Sequence, residues 1–180
     1  MEELVKKAKI GDKDAFSTLI LLLEKDLYKI AKMRLKDDED VYDAVQETIL
    51  IAFKSIKRLK HVEYFKTWII RILINQSNYI YRQRTKKKVL SFEDTEKDIS
   101  SEISNMENID TVLDFNFMCK KLKYEDRIII ILYYMERFTD KEIGEILNLK
   151  ERTVTTKRNR AKQKIKTILN WEDKKDGWTR

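Results

Sequence analysis

The sequence predicts an all-α fold, with two small helical domains joined by an acidic linker. Three observations carry that expectation. The 180 residues contain no proline and only three glycines, Gly11, Gly144 and Gly177, too few for the tight turns of a β-rich chain. Apolar residues recur at spacings of three and four along most of the chain. The formal net charge of +7 is unevenly spread, with +4 over residues 1–85, −4 over 86–116 and +7 over 117–180. The middle stretch, SFEDTEKDISSEISNMENID, is acidic and poor in core formers and reads as a flexible linker. The domains then fall at 1–86 and 112–170, with a linker over 87–111 and a tail over 171–180.

The first domain begins with a short helix over Glu2 to Lys9, stopped at Gly11. Asp12 or Asp14 caps a long second helix, whose buried stripe is Phe16, Leu19, Ile20, Leu23, Leu27 and Ile30. The segment KDDED breaks that helix. The next helix runs from about Asp40 to Leu59. Val41, Val45, Thr48, Ala52 and Leu59 share one face, widened by Ile49, Phe53 and Ile56. On its other side Asp40, Asp43 and Glu47 stand at i, i+3 and i+7, with Gln46 beside them. Stacked like charges cost about 0.2–0.5 kcal/mol per pair. Such a stripe is either a solvated face or a docking strip for a basic partner helix.

A further long helix spans about Glu63 to Arg84, with Ile69, Ile72, Leu73 and Ile80 inward. Tyr64, Trp68, Arg71, Asn75, Asn78 and Arg82 form a second stripe that runs into the basic RQRTKKK. Rings, amides and guanidinium groups together suit single-stranded nucleic acid, because rings stack on bases and cations follow phosphates. Trp68 and Tyr64 also suit a plain core role.

The second domain opens with a helix over about Val112 to Leu122 and another over Tyr124 to Glu136. Thr139 then reads as an N-cap and Glu142 as its capping-box partner, with Phe138 stapled to Ile143. That helix holds Ile143, Ile146 and Leu147 inward and ends at Asn148, a tolerable left-handed C-cap. Leu149 plugs the turn. A last helix starts near Glu151, with Val154, Ala161, Ile165 and Ile168 on its buried side. A short helix, a turn and a basic helix make a helix-turn-helix, and Gly144 lets the two helices cross closely. Lys150 to Lys166 holds eight basic residues and one acid. Arg152, Thr153, Thr155, Thr156 and Lys157 lie in the early turns that enter a major groove. Arg158, Arg160, Lys162 and Lys164 are placed either to add phosphate contacts or, for the far ones, only to be solvated.

Composition also excludes. No two glycines are close enough for a phosphate loop. Cys119 is the single cysteine and His61 the single histidine, so neither an internal disulfide nor a Cys/His metal cluster is expected. A Ser-His-Asp enzyme would have to be built on His61 alone. No cofactor and no enzymatic activity are expected. No apolar run reaches membrane-spanning length, and MEELVKKAKIGD is no signal peptide, which points to a cytoplasmic protein.

Three motifs together resemble the extracytoplasmic-function type of bacterial RNA polymerase sigma factor, over residues 10–86 and 112–169. Asp40-Val-Tyr-Asp43-Ala-Val-Gln46-Glu47-Thr48 is similar to the family's Asp-Ala-Glu-Asp-x-x-Gln-Glu-Thr. Phe65-Lys-Thr-Trp68-Ile-Ile-Arg71-Ile72, followed by Asn75, resembles Phe-x-x-Trp-Leu-x-x-Ile-x-x-Asn. Thr153-Val154 through Arg160-Ala161 resembles Thr-Val-Lys-Ser-Arg-x-x-Arg-Ala. Tyr42 departs from a family glutamate, Thr155 and Lys157 from lysine and arginine, and Lys150 from the usual capping serine.

The resemblance implies a sigma2-like first domain and a sigma4-like second one. It implies that Asp40, Asp43, Gln46 and Glu47 engage the clamp helices of the polymerase β′ subunit. Lys60, His61, Tyr64, Trp68, Arg71, Asn75, Asn78, Arg82 and Arg84 would read and open the −10 element. Arg152, Thr153, Thr155, Thr156, Lys157 and Arg160 would read the duplex −35 element. Expected partners are core polymerase, including its β flap, promoter DNA and an anti-sigma factor, the free chain being a monomer or 1:1 with that factor. The linker would pass toward the RNA exit channel. The rival readings are a helix-turn-helix regulator that acts without polymerase, and a helical adaptor.

Overall fold

In a computed structural model of the chain, the described residues are 1–90 and 121–176, with side chains over 1–86 and 121–167. Every regular element among them is helical, and the chain divides into two compact units, Met1–Ile99 and Ser100–Arg180. Most of the expected linker, and the helix expected over 112–122 apart from a turn at Lys121 and Leu122, lie outside the described residues.

In the first unit α1 spans Glu2–Lys9, α2 Lys13–Lys32, α3 Asp38–Ser55 and α4 Phe65–Leu90. Asp12 caps α2 by accepting from the Ala15 amide at 2.9 Å. Helix α1 packs on α2, α2 on α3, and α4 on both α2 and α3. Leu19, Leu27, Ile30, Phe65, Ile69, Ile70 and Leu73 are fully buried between them. Each stabilises by about 1.5–3 kcal/mol relative to exposure. Ile20 is only half-buried.

Four expectations change here. KDDED does not merely interrupt the chain. Asp37 is the N-cap of α3, and Asp38, Glu39 and Asp40 are its first turn, where carboxylates favour the positive end of the helix dipole. The buried arc of α4 takes in Ile70, Ile74, Thr67 and Ser77 and leaves Ile72 and Ile80 half-buried, because α4 meets two helices rather than one. Phe53 is 46% exposed rather than core, its ring edge-on to Phe16 at 5.2 Å. Helix α4 also continues past the expected boundary at 86.

In the second unit α5 spans Tyr124–Tyr134, α6 Asp140–Leu147 and α7 Glu151–Asp176. The boundary expected at 170 thus falls inside α7. Helix α5 buries Ile128, Ile129, Ile130, Ile131 and Leu132 in succession, since α6 and α7 cover it from two sides. The capping box forms as expected. Thr139 Oγ1 accepts from the Glu142 amide at 3.2 Å, and the Thr139 amide donates to Glu142 Oε2 at 2.8 Å. Asn148 closes α6 in the left-handed region, at φ 55° and ψ 47°. A Cβ on Gly144 would stand 2.7 Å from the Leu149 carbonyl oxygen. The close approach at Gly144 is therefore made by the turn backbone. Val154 and Ala161 face the core, and Ile165 is half-buried.

Candidate polymerase and nucleic-acid interfaces

The start of α3 is held by a polar cluster. Asp38 accepts from the Tyr28 hydroxyl at 2.7 Å and pairs with Lys32. The bond to Asp38, with burial second, pushes the Tyr28 phenol up to about 12. Asp40 does not stand on the solvent stripe. It is 8% exposed and accepts from Arg84 Nε at 3.1 Å and Nη2 at 2.7 Å. The open strip is Asp43, Gln46 and Glu47. Leu50, 48% exposed, follows Glu47 by one turn, and Phe53 borders it. An apolar patch beside carboxylates has the composition of a protein docking surface. Leu50 was missed in the sequence because apolar residues in a periodic helix read as core, although its place three residues after Glu47 marks the outer face.

The turn into α4 is fixed by Lys9, whose ammonium donates to the Leu59 carbonyl at 2.6 Å. Beyond it Lys60 and His61 are exposed, with the His61 ring edge-on to Tyr64 at 6.0 Å. Tyr64 is 43% exposed, and Trp68 is half-buried against the Phe65 ring at 5.8 Å. Trp68 thus serves the core and still reaches the surface. Arg71, Asn75 and Arg82 are exposed and Asn78 half-buried, all on the side of α4 opposite its core arc. These six residues form one continuous face. Arg84 does not join it, because Arg84 lies three turns beyond Leu73, on the core side, and reaches Asp40.

On α7 the basic residues divide. Arg152 and Thr156 are exposed, and Thr153 is half-buried. Thr155 donates to Asp140 Oδ2 at 2.7 Å. Arg158 bonds both oxygens of Asp140, at 2.8 and 2.9 Å, with its guanidinium over the Tyr133 ring. This pair holds the Asp140 carboxyl below the usual range, the Arg158 hydrogen bonds being the chief cause. Arg158 thus braces α7 against the start of α6. Lys157 reaches Glu125 Oε2 at 2.6 Å. Arg160 and Lys164 approach Asp126 Oδ2, a buried oxygen without a hydrogen bond, at 3.7 and 3.6 Å. Asn159 and Gln163 are exposed and extend the Arg152 and Thr156 face at helical spacing. They were missed because the sequence reading counted charge, whereas asparagine and glutamine pair with adenine through two hydrogen bonds at its major-groove edge.

The chain matches the family description Sigma-70 region 2 over residues 19–87 and Sigma-70, region 4 over 118–165. It is 30% identical to RNA polymerase sigma factor SigV of Bacillus subtilis over 167 residues, covering 93% of this chain and 98% of that one. The chain belongs to the extracytoplasmic-function group of sigma-70 family RNA polymerase sigma factors. ECF RNA polymerase sigma factor SigW of the same organism is 28% identical, covering 94% of this chain and 96% of its own. CnrH, solved with the cytosolic domain of CnrY, superposes with a TM-score of 0.67 at 21% identity, covering 94% of this chain and 96% of that one. The sigma factor RpoE, solved with the anti-sigma factor NepR from Bartonella quintana, gives 0.67 at 20%, covering 86% and 96%. These likenesses bear on the fold. This sigma factor binds core RNA polymerase and directs promoter-specific transcription initiation. No helix among its described residues is long and apolar enough to cross a membrane.

Proposed function

We propose that this sigma factor docks on the β′ clamp helices through Asp43, Gln46 and Glu47, with Leu50 as the apolar contact. Lys60, His61 and the face from Tyr64 to Arg82 then take the −10 strand. Flipping a base out of the duplex costs a few kcal/mol, roughly, and stacking returns about 1–3 kcal/mol per base. Trp68 and Tyr64 supply rings, Asn75 and Asn78 edge hydrogen bonds, and Arg71 and Arg82 phosphate contacts. Helix α7 reads the −35 duplex through Arg152, Thr153, Thr156 and Asn159, while the second unit meets the β flap. The acidic segment between the units runs toward the RNA exit channel.

The reading makes this a binding machine without covalent chemistry, acting in the cytoplasm where polymerase works. An anti-sigma factor, of the kind that NepR is to RpoE, would hold this chain inactive as a 1:1 complex. The observation that carries the reading is the α4 face, whose rings, amides and guanidinium groups all lie opposite the core arc.

The test is transcription in vitro with the host's core polymerase over a genomic promoter library. Asp43→Lys combined with Glu47→Lys should abolish polymerase binding while the circular-dichroism melting profile stays unchanged. Undiminished affinity would remove the docking strip.

A further inference from the structure

Among the described side chains past Ser77, Asn78 to Lys86, α4 buries none fully. Ile80 is half-buried, and Tyr79 and residues 81–86 are exposed. Yet Asn78 and Arg82, two of the proposed strand contacts, lie on this distal part. Two polar contacts reach it from the body of the unit. The Arg34 guanidinium sits 3.7 Å above the Tyr81 ring centroid. Arg84 donates twice to Asp40 Oδ1, at 3.1 and 2.7 Å. Asp40 itself is one turn before Asp43 on α3. The same first turn that precedes the docking strip therefore grips the far end of the strand-opening helix.

We propose that Asp40 and Arg84 are positioning residues, a latch that fixes distal α4 for strand capture, and that neither contacts polymerase or DNA directly. The proposal rests on the reading of α4 as the −10 helix. Asp37 and Glu39 add to the negative field at Arg84 and strengthen the preference for this site over solvent. With the latch broken, Asn78 and Arg82 sample several orientations, and the entropy of ordering them falls on the opening step.

The experiment uses full-length sigma with core polymerase, on a promoter that the wild-type holoenzyme selects. Polymerase affinity is read by fluorescence anisotropy, and strand opening by 2-aminopurine placed in the −10 element. Asp40→Asn and Arg84→Ala should each slow opening roughly tenfold while leaving polymerase affinity within about twofold. The double variant should be no slower than either single one. A loss of polymerase affinity in Asp40→Asn would make Asp40 a docking residue and overturn the proposal. So would a further loss on adding Arg84→Ala to Asp40→Asn, since Arg84 would then touch DNA itself. Unchanged opening in both single variants overturns it as well. Asn75→Ala separates the two levels of argument, because unchanged opening there removes the −10 role of α4 whatever the latch does.

Discussion

Helices α4 and α7 are both long, basic and assigned to DNA, yet they use their charge differently. Along the α4 face, Arg71 and Arg82 make no ion pair among the described residues. On α7, Lys157, Arg158, Arg160 and Lys164 all turn toward carboxylates of their own unit, at Glu125, Asp140 and Asp126. On the proposed reading, the face of α4 that captures a melted strand keeps its two arginines open, while Lys66 and Arg84 on other sides of the same helix pair with Asp26 and Asp40. A helix that must sit at a fixed angle in a groove commits several of its cations to holding that angle. Basic residues on a helix are therefore a poor measure of its phosphate contacts.

The strongest way to break this contrast is to disturb the turn that sets the angle of α7. Gly144→Ala places a methyl 2.7 Å from the Leu149 carbonyl, and backbone must shift to relieve it. The expected cost is about 2–3 kcal/mol of second-unit stability, read by chemical denaturation, with loss of −35 protection in a footprint. The first unit should still bind polymerase. Native-like stability in this variant would mean that the turn gives way and that α7 is not rigidly set.

A smaller effect is expected at the brace itself. Asp140→Asn removes the charge that Arg158 bonds twice, in a site where both side chains are mostly buried, and should cost about 1–2 kcal/mol. The carboxyl is depressed in the folded state relative to its ordinary 3.8. Its stabilisation is therefore full above that value and is lost as pH falls through the lower folded-state value. Melting of the wild type should lose stability in that acid range, and the part contributed by Asp140 should be missing from the variant. An identical acid profile in the two proteins would remove the brace.

What the sequence made legible was local. The helices follow from spacings of three and four. The Thr139 and Glu142 box lies within four residues, and Asn148 marks its own left-handed turn. The α4 face was readable for the same reason, since five residues on one helix, with Tyr64 in the turn just before it, need no partner to be placed. What escaped was pairing across distance. Asp140 and Arg158 are far apart in the chain, as are Asp40 and Arg84, and no periodicity joins them. A faint signal existed. Asp40 stands four residues before the buried Ala44, and Arg84 three turns beyond Leu73, so each lies at the edge of a core arc. The carboxylate stripe masked the first and the basic run masked the second.

The finest test of the contrast is the salt dependence of −35 binding. Each phosphate neutralised by a cation steepens the slope of log affinity against log salt by roughly 0.9. Arg152 is exposed at the start of α7, so Arg152→Ala should flatten that slope by about one such increment without lowering the melting temperature. Arg158→Ala should do the reverse. Its charge is held by Asp140, so the slope stays while the melting temperature drops. Both are measured by anisotropy of a labelled −35 duplex with holoenzyme, well below the melting transition. If Arg158→Ala flattens the slope as much as Arg152→Ala does, Asp140 does not withhold that charge from DNA, and the distinction between open and committed cations fails for α7.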